Sequence, residues 1–428
     1  MKPICNLILI FLLLIECNLK MMQMEKDFFS QKIALLKLYQ STNGMNWHPC
    51  NWADKLNENP CGWCGIYCRK NTTEVIGIEL MENNLIGEIN DSISDLIYLK
   101  EMRLSGNNIS ALPSSLSHLN LTLLWVQNNT ITDVSLIAWS NFGFLTDLRI
   151  FRNPIQSIPN SLFFLPIVRL DLSFTEISSF PNQIYSKSTI KQILAHNNNL
   201  GPSFPQVLCS IEKIEMIDLS YNQILQIEGD IFECGNLKSL FLSNNFIQFL
   251  PQFDGGSLDI LDLSFNNISF VVDSFKNVEI NKLIVSDNTI EVITPPKSIT
   301  SLSAQNNSIQ NVSLLYPFFN SSSFSFMDVS FNKLKGSFDT NFQNGFINLI
   351  GNRNVSFNHY IFGEPSALYQ DPFNQDSVYQ CKSVYSDPLF NSIGVFDSVN
   401  NLQDLYKIEI YPQFFNYTNC KCAEGYYV

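Results

Sequence analysis

The chain has 428 residues, with 26 Lys+Arg against 39 Asp+Glu and a formal charge of −13. An acidic surface of this kind argues against nucleic acid or an anionic membrane as the main partner, since neither would attract it. Apolar residues make up 45% of the chain, enough Leu, Ile, Val and Phe to build a large core.

The first segment, residues 1–19, reads as a secretory signal. Lys2 gives a positive start, and Ile4 to Ile15 form an apolar run broken only by Cys5 and Asn6. That run falls short of the roughly 20 residues a membrane span needs, and no later stretch reaches it. No membrane span is therefore expected within the chain. Secretion accords with eleven Asn-x-Ser/Thr sequons, expected as glycosylation sites: Asn71, Asn90, Asn108, Asn120, Asn128, Asn267, Asn306, Asn311, Asn320, Asn354 and Asn416.

Residues 20–74 are expected to form an N-terminal cap. Phe29, Ile33 and Leu36 fall on one helical face, which is predicted to cover the apolar end that the strand beginning at residue 75 would otherwise expose. Cys50, Cys61, Cys64 and Cys68 lie within 19 positions, and sequence alone permits three pairings.

From residue 75 to 357 one pattern dominates, L-x-x-L-x-L-x-x-N-x-L/I. Its copies begin at 75, 99, 121, 145, 167, 190, 214, 237, 258, 280, 299 and 324, with a degenerate thirteenth around Ile347, Leu349 and Asn352. The period falls in the range of leucine-rich repeats. Alternation such as Leu261 and Leu263 places a short strand with one face inward. The Asn at the ninth position turns inward, where its amide serves backbone groups freed by the bend. Thr175 replaces that Asn in one copy, so its turn is expected to be less well bonded. Proline turns (Leu112-Pro113, Ile158-Pro159, Phe180-Pro181, Leu250-Pro251) and glycine forms (Gly87, Gly336) mark the return side. A single repeat cannot bury its apolar face, so stability comes from stacking. The expected architecture is an α/β solenoid, a leucine-rich-repeat horseshoe with a parallel concave sheet and a disulfide-stapled N-terminal helical cap.

Residues 358–428 leave the repeat and are read as a C-terminal cap followed by the start of a cysteine-rich segment. Cys420-Lys421-Cys422 with Gly425-Tyr426 resembles the opening of an EGF-like module, and the chain is expected to be a piece of a longer surface protein.

The cap residues carry a further likeness. Ala34-Leu35-Leu36, Leu38-Tyr39, Asn43-Gly44, Asn46-Trp47, Trp52 and Pro60-Cys61-Gly62-Trp63-Cys64 resemble the cap of plant-type leucine-rich-repeat ectodomains. That family includes receptor-like kinases, receptor-like proteins and polygalacturonase inhibitors. The resemblance implies recognition outside the cell, pairings Cys61–Cys68 and Cys50–Cys64, and a bridge between Cys209 and Cys234.

No catalytic chemistry is expected. Cys61-Gly62-Trp63-Cys64 has C-x-x-C spacing, but it lacks the βαβ setting of a thiol oxidoreductase. His48, His118, His196 and His359 fit no triad or ligand spacing, and His196 should point out of the strand face. Asp171, Asp218, Asp262 and Asp328 recur in Leu-Asp-Leu-Ser phrases and are read as consensus surface residues. No cofactor and no metal are expected.

Binding is expected on the variable strand positions. Arg103, Trp125, Gln127, Arg149, Phe151 and Arg152 form the leading patch, because Trp and Arg are enriched in binding hot spots. A second exposed set is Phe174, Tyr221, Phe241, Phe265 and Phe331. The expected partner is a protein, peptide or glycan ligand, with receptor-like signalling as the role. A hydrolase inhibitor and a wall or matrix scaffold are the alternatives.

Overall fold

The computed structural model describes residues 2–338, 346–352, 354–357 and 368–369. The expectations for Cys420, Cys422, Asn416 and His359 lie outside them. The chain divides into two compact units, Met1–Pro251 and Gln252–Val428.

The first unit opens with a helix over Lys2–Ser41, the only α-helix among the described residues. Its packed face is not the one expected from sequence. Phe29 and Ile33 are 60% and 48% exposed, whereas Gln31, Ala34, Leu35, Leu38 and Tyr39 are buried. Both sets obey helical spacing, so spacing could not choose between them. The Gln31 side chain decides the matter: its oxygen accepts from the Val75 N–H at 2.8 Å, satisfying a donor on the edge of the first repeat. Behind the helix, Trp47 and Trp52 pack edge to face at 4.7 Å, and Trp52 lies 4.9 Å from Trp63. Cys50–Cys64 and Cys61–Cys68 staple this loop.

The strand Ile66–Cys68 pairs antiparallel with Val75–Glu79. Parallel strands come next at Glu101–Arg103, Leu123–Trp125 and Asp147–Arg149. A second parallel run joins Arg169–Asp171, Gln192–Leu194, Met216–Asp218 and Ser239–Phe241. The return segments are single 3-10 turns, such as Ser114–His118 and Gln206–Ser210, rather than α-helices. Cys209 and Cys234 are bridged across neighbouring return segments.

The interior asparagines weld one coil to the next. Asn129 Nδ2 donates to the carbonyls of Leu104 and Val126, both at 3.0 Å, while its Oδ1 accepts from Ile109 N–H at 2.9 Å. Asn153, Asn198 and Asn222 repeat the arrangement. The first of the series, Asn83, has no preceding coil and holds the cap instead, exchanging two bonds with the Cys50 backbone.

At Thr175 the weld is incomplete. Its hydroxyl reaches only the Leu172 carbonyl and Asn198 Oδ1, both within or after its own coil. The Ile155 N–H turns back to the Asn153 carbonyl at 2.7 Å. Asp147–Arg149 and Arg169–Asp171 form no strand ladder among the described residues, and the sheet order breaks between them.

The second unit repeats the plan. Ser257–Asp262, Glu279–Ile284, Ser298–Ser303, Phe326–Asp328 and Phe346–Asn348 pair in parallel. Asn288, Asn307, Asn332 and Asn352 supply the same side-chain bonds.

Candidate ligand-binding face

Trp125 closes the strand Leu123–Trp125, and its ring leaves the sheet on the side opposite Leu124 and Val126, which are fully buried. The parallel register sets Arg103 and Arg149 on either side of it. Both guanidiniums stack on the indole: Arg103 Cζ is 5.0 Å from the ring centroid and Arg149 Cζ is 3.8 Å. Each cation is also paired. Arg103 meets Glu101 at 2.6 Å and Glu79 at 4.0 Å, and Arg149 grips both Asp147 oxygens at 3.2 and 3.4 Å. The result is a tryptophan held between two arginines, each of which is braced by at least one carboxylate. Trp125 Nε1 and Gln127 Oε1 are buried with no hydrogen-bond partner among the described residues.

Phe151 and Arg152 lie on the same coil as Arg149, Phe151 half-buried and Arg152 exposed. Arg152 Cζ lies 4.9 Å from the Phe174 ring, and Phe174 meets His196 edge to face at 5.2 Å. The structure thus joins the two sequence-defined patches at Phe174 and adds His196, Glu101 and Asp147, which belong to neither patch as read from sequence. A period of about 22 residues brings such neighbours together. Their alignment in columns was the available signal.

Two expectations are corrected. Phe241 is 3% exposed, unlike Phe174, Tyr221, Phe265 and Phe331, which are 43–60% exposed. It sits within the strand Ser239–Phe241, between the buried Leu240 and Leu242, whereas the others sit at the left-handed bend beyond the strand. Two of the four Leu-Asp-Leu-Ser aspartates are not surface residues: Asp218 and Asp262 are 2% and 1% exposed, while Asp171 and Asp328 are half-buried. The Asp218 and Asp262 carboxylates accept from the backbone N–H two residues on, at Ser220 and Ser264, so they close a local turn. Asp171 and Asp328 make the same bond.

The residue just before each interior Asn, or before Thr175, has positive φ: Glu82, Gly106, Asn128, Arg152, Phe174, Asn197, Tyr221, Asn244, Phe265, Asp287, Asn306, Phe331 and Gly351. This left-handed step aims the last variable side chain out of the sheet.

No three of His, Cys, Asp and Glu stand together to hold a metal among the described residues. No helix among them is long and apolar enough to cross a membrane.

Leucine-rich-repeat family models match residues 98–119 and 212–268, the second across the strands Met216–Asp218, Ser239–Phe241 and Ser257–Asp262. The chain carries leucine-rich repeats and folds as a leucine-rich-repeat solenoid. Over 227 residues, half of this chain, it is 28% identical to receptor-like protein 39 of Arabidopsis thaliana, covering 24% of that protein. Over 260 residues it is 24% identical to an adenylate cyclase of Podospora anserina, covering 50% of this chain and 12% of the relative. The chain therefore spans a quarter or less of these two curated relatives. Among solved structures, the leucine-rich-repeat ectodomain of the Arabidopsis thaliana receptor kinase GASSHO1/SCHENGEN3 superposes with a TM-score of 0.48 at 20% identity, covering 76% of this chain and 47% of that one.

Proposed function

We propose that this protein is an extracellular recognition module, receptor-like in role, which leaves the cell after removal of residues 1–19. Its ligand is a protein, peptide or glycan held on the strand face by Arg103, Trp125, Gln127, Arg149, Phe151 and Arg152. The observation that carries this reading is the Trp125 indole held between two arginines, each braced by a carboxylate. Both residue types dominate binding energetics when they stand rigid and accessible. Stacking with carboxylate bridges fixes the ring and both forks before a ligand arrives, which lowers the ordering cost of binding. The partial match to a receptor-like protein supports the role. The reading assigns no reaction to the chain, and its likeness to a cyclase covers only 12% of that enzyme.

The test is capture from libraries of extracellular proteins, peptides and glycans by wild type beside Trp125→Ala and Arg149→Ala. Loss of a hot-spot residue should weaken a genuine ligand by about tenfold or more. Equal binding by all three proteins removes the patch from the site.

A further inference from the structure

The nine sequon asparagines with described side chains are all exposed: Asn71, Asn90, Asn108, Asn120, Asn128, Asn267, Asn306, Asn311 and Asn320. The interior asparagines are excluded from this chemistry by the repeat itself. A sequon needs Ser or Thr two residues on, and that position holds the buried apolar residue that ends the motif, as Ile109 does after Asn107 and Ile131 after Asn129. Sequons therefore fall outside the interior column, at most beside it. Asn128 is such a case, one residue ahead of Asn129 on the strand side.

Its surroundings are specific. Asn128 carries the left-handed φ of 57°, so its side chain leaves the sheet where each strand ends. In the preceding coil the equivalent position is Gly106, which offers no side chain to crowd it, and in the next coil it is Arg152. Trp125 and the unpaired Gln127 oxygen lie three and one residues before it. Residues 129–266 contain thirteen asparagines and no sequon, so Asn128 is the last attachment point before a bare run that includes Arg149, Arg152, Phe174 and His196.

We propose that Asn128 carries an N-linked glycan that stands over Trp125 and closes the patch on the Gly106 side, leaving approach from the Arg149 side. The inference rests on secretion and on the geometry around Trp125, and it requires no knowledge of the ligand. Acquired during secretion, the sugar would limit what size of partner reaches the indole.

The molecule supplies its own reporter. Of five tryptophans, Trp47, Trp52, Trp63 and Trp139 are at most 2% exposed, so collisional quenching of fluorescence by acrylamide reads mainly Trp125. The full chain is secreted from eukaryotic cells, and occupancy is mapped by enzymatic release of glycans in heavy-oxygen water with peptide mass spectrometry. Asn128 should gain the label and Asn129 should not. Quenching is then compared between the native glycoprotein, the enzymatically deglycosylated protein and Asn128→Asp, with Trp125→Phe to identify the signal. Both sugar-free forms should quench more steeply than the glycoprotein, and the difference should vanish in Trp125→Phe. Deglycosylation acts on folded protein, so a folding defect of the substitution cannot mimic the result. An unlabelled Asn128 beside labelled neighbours, or equal quenching with and without the sugar, overturns the proposal. Either result leaves the ligand-capture test of the patch unaffected.

Discussion

The Thr175 hydroxyl donates to Asn198 Oδ1 at 2.5 Å, in the place where other coils have an asparagine that reaches back to the preceding coil. A hydroxyl is too short to bond the Ile150 carbonyl and offers the Ile155 N–H no acceptor within reach. The junction between the strands Asp147–Arg149 and Arg169–Asp171 therefore lacks both the strand ladder and the asparagine bonds that its neighbours have, and it carries Arg149, Arg152 and Phe174.

Thr175→Asn should restore the weld. It supplies a donor for Ile150 and an acceptor for Ile155, worth about 1 kcal/mol per net hydrogen bond. A higher melting temperature and slower amide exchange at Ile155 are expected; unchanged exchange there would show that the gap is not a defect in bonding.

Asn129→Ala should have the opposite effect. It leaves the buried Ile109 N–H without its side-chain acceptor and takes one of two amide donors from each of the Leu104 and Val126 carbonyls, which keep Asn107 and Asn153, a cost of about 2 kcal/mol. Chemical denaturation beside Asn128→Asp separates the two columns, since the exposed neighbour should be nearly neutral.

Gly87 holds the cap to the first repeat. Its φ is +120°, and a Cβ there would strike the Ser41 carbonyl at the end of the cap helix, beside the bond from Ile86 N–H to the Thr42 carbonyl. Gly87→Ala should cost about 3 kcal/mol and expose the cap to proteolysis at low protease concentration. Wild-type resistance in this variant would mean that the cap is held elsewhere.

Acid should loosen two local features. The backbone N–H of Ser135 holds the Asp133 carboxyl below its ordinary value, and Lys191 and Lys238 do the same for Glu215. Groups with lowered folded-state pKa contribute stability that is fully present above the unfolded value and lost as pH falls through the folded one. Melting temperature should hold from neutrality to about pH 5 and decline below about pH 4. Both carboxylates are open to solvent, so the decline should be shallow. Asp133→Asn should flatten part of it.

The repeat period, the interior asparagines and the weak position at Thr175 were legible because each comes from a fixed spacing that burial enforces. The packed side of the cap helix was not, because two apolar stripes shared it and the deciding group was Gln31, a polar residue. The buried aspartates were missed for a related reason. Strict alternation assigns Asp218 to the outside, yet its carboxylate accepts from the Ser220 N–H and it is 2% exposed. Within the candidate site, Arg103, Trp125 and Arg149 could be placed side by side from the period alone; their mutual stacking and their acid partners depend on rotamers that no spacing dictates.

The left-handed step ahead of each interior asparagine has an evolutionary corollary. Gly, Asn and Asp tolerate that backbone, whereas Glu82 and, beyond it, Arg152, Phe174, Tyr221, Phe265 and Phe331 adopt it at a penalty on the order of 1 kcal/mol each; the last five are the large side chains of the strand face. Drift toward greater robustness would replace those five with glycine or asparagine. Their presence sets a large side chain on the strand face against a relaxed main chain, and variants in a mutational library that gain heat tolerance while losing ligand should concentrate there.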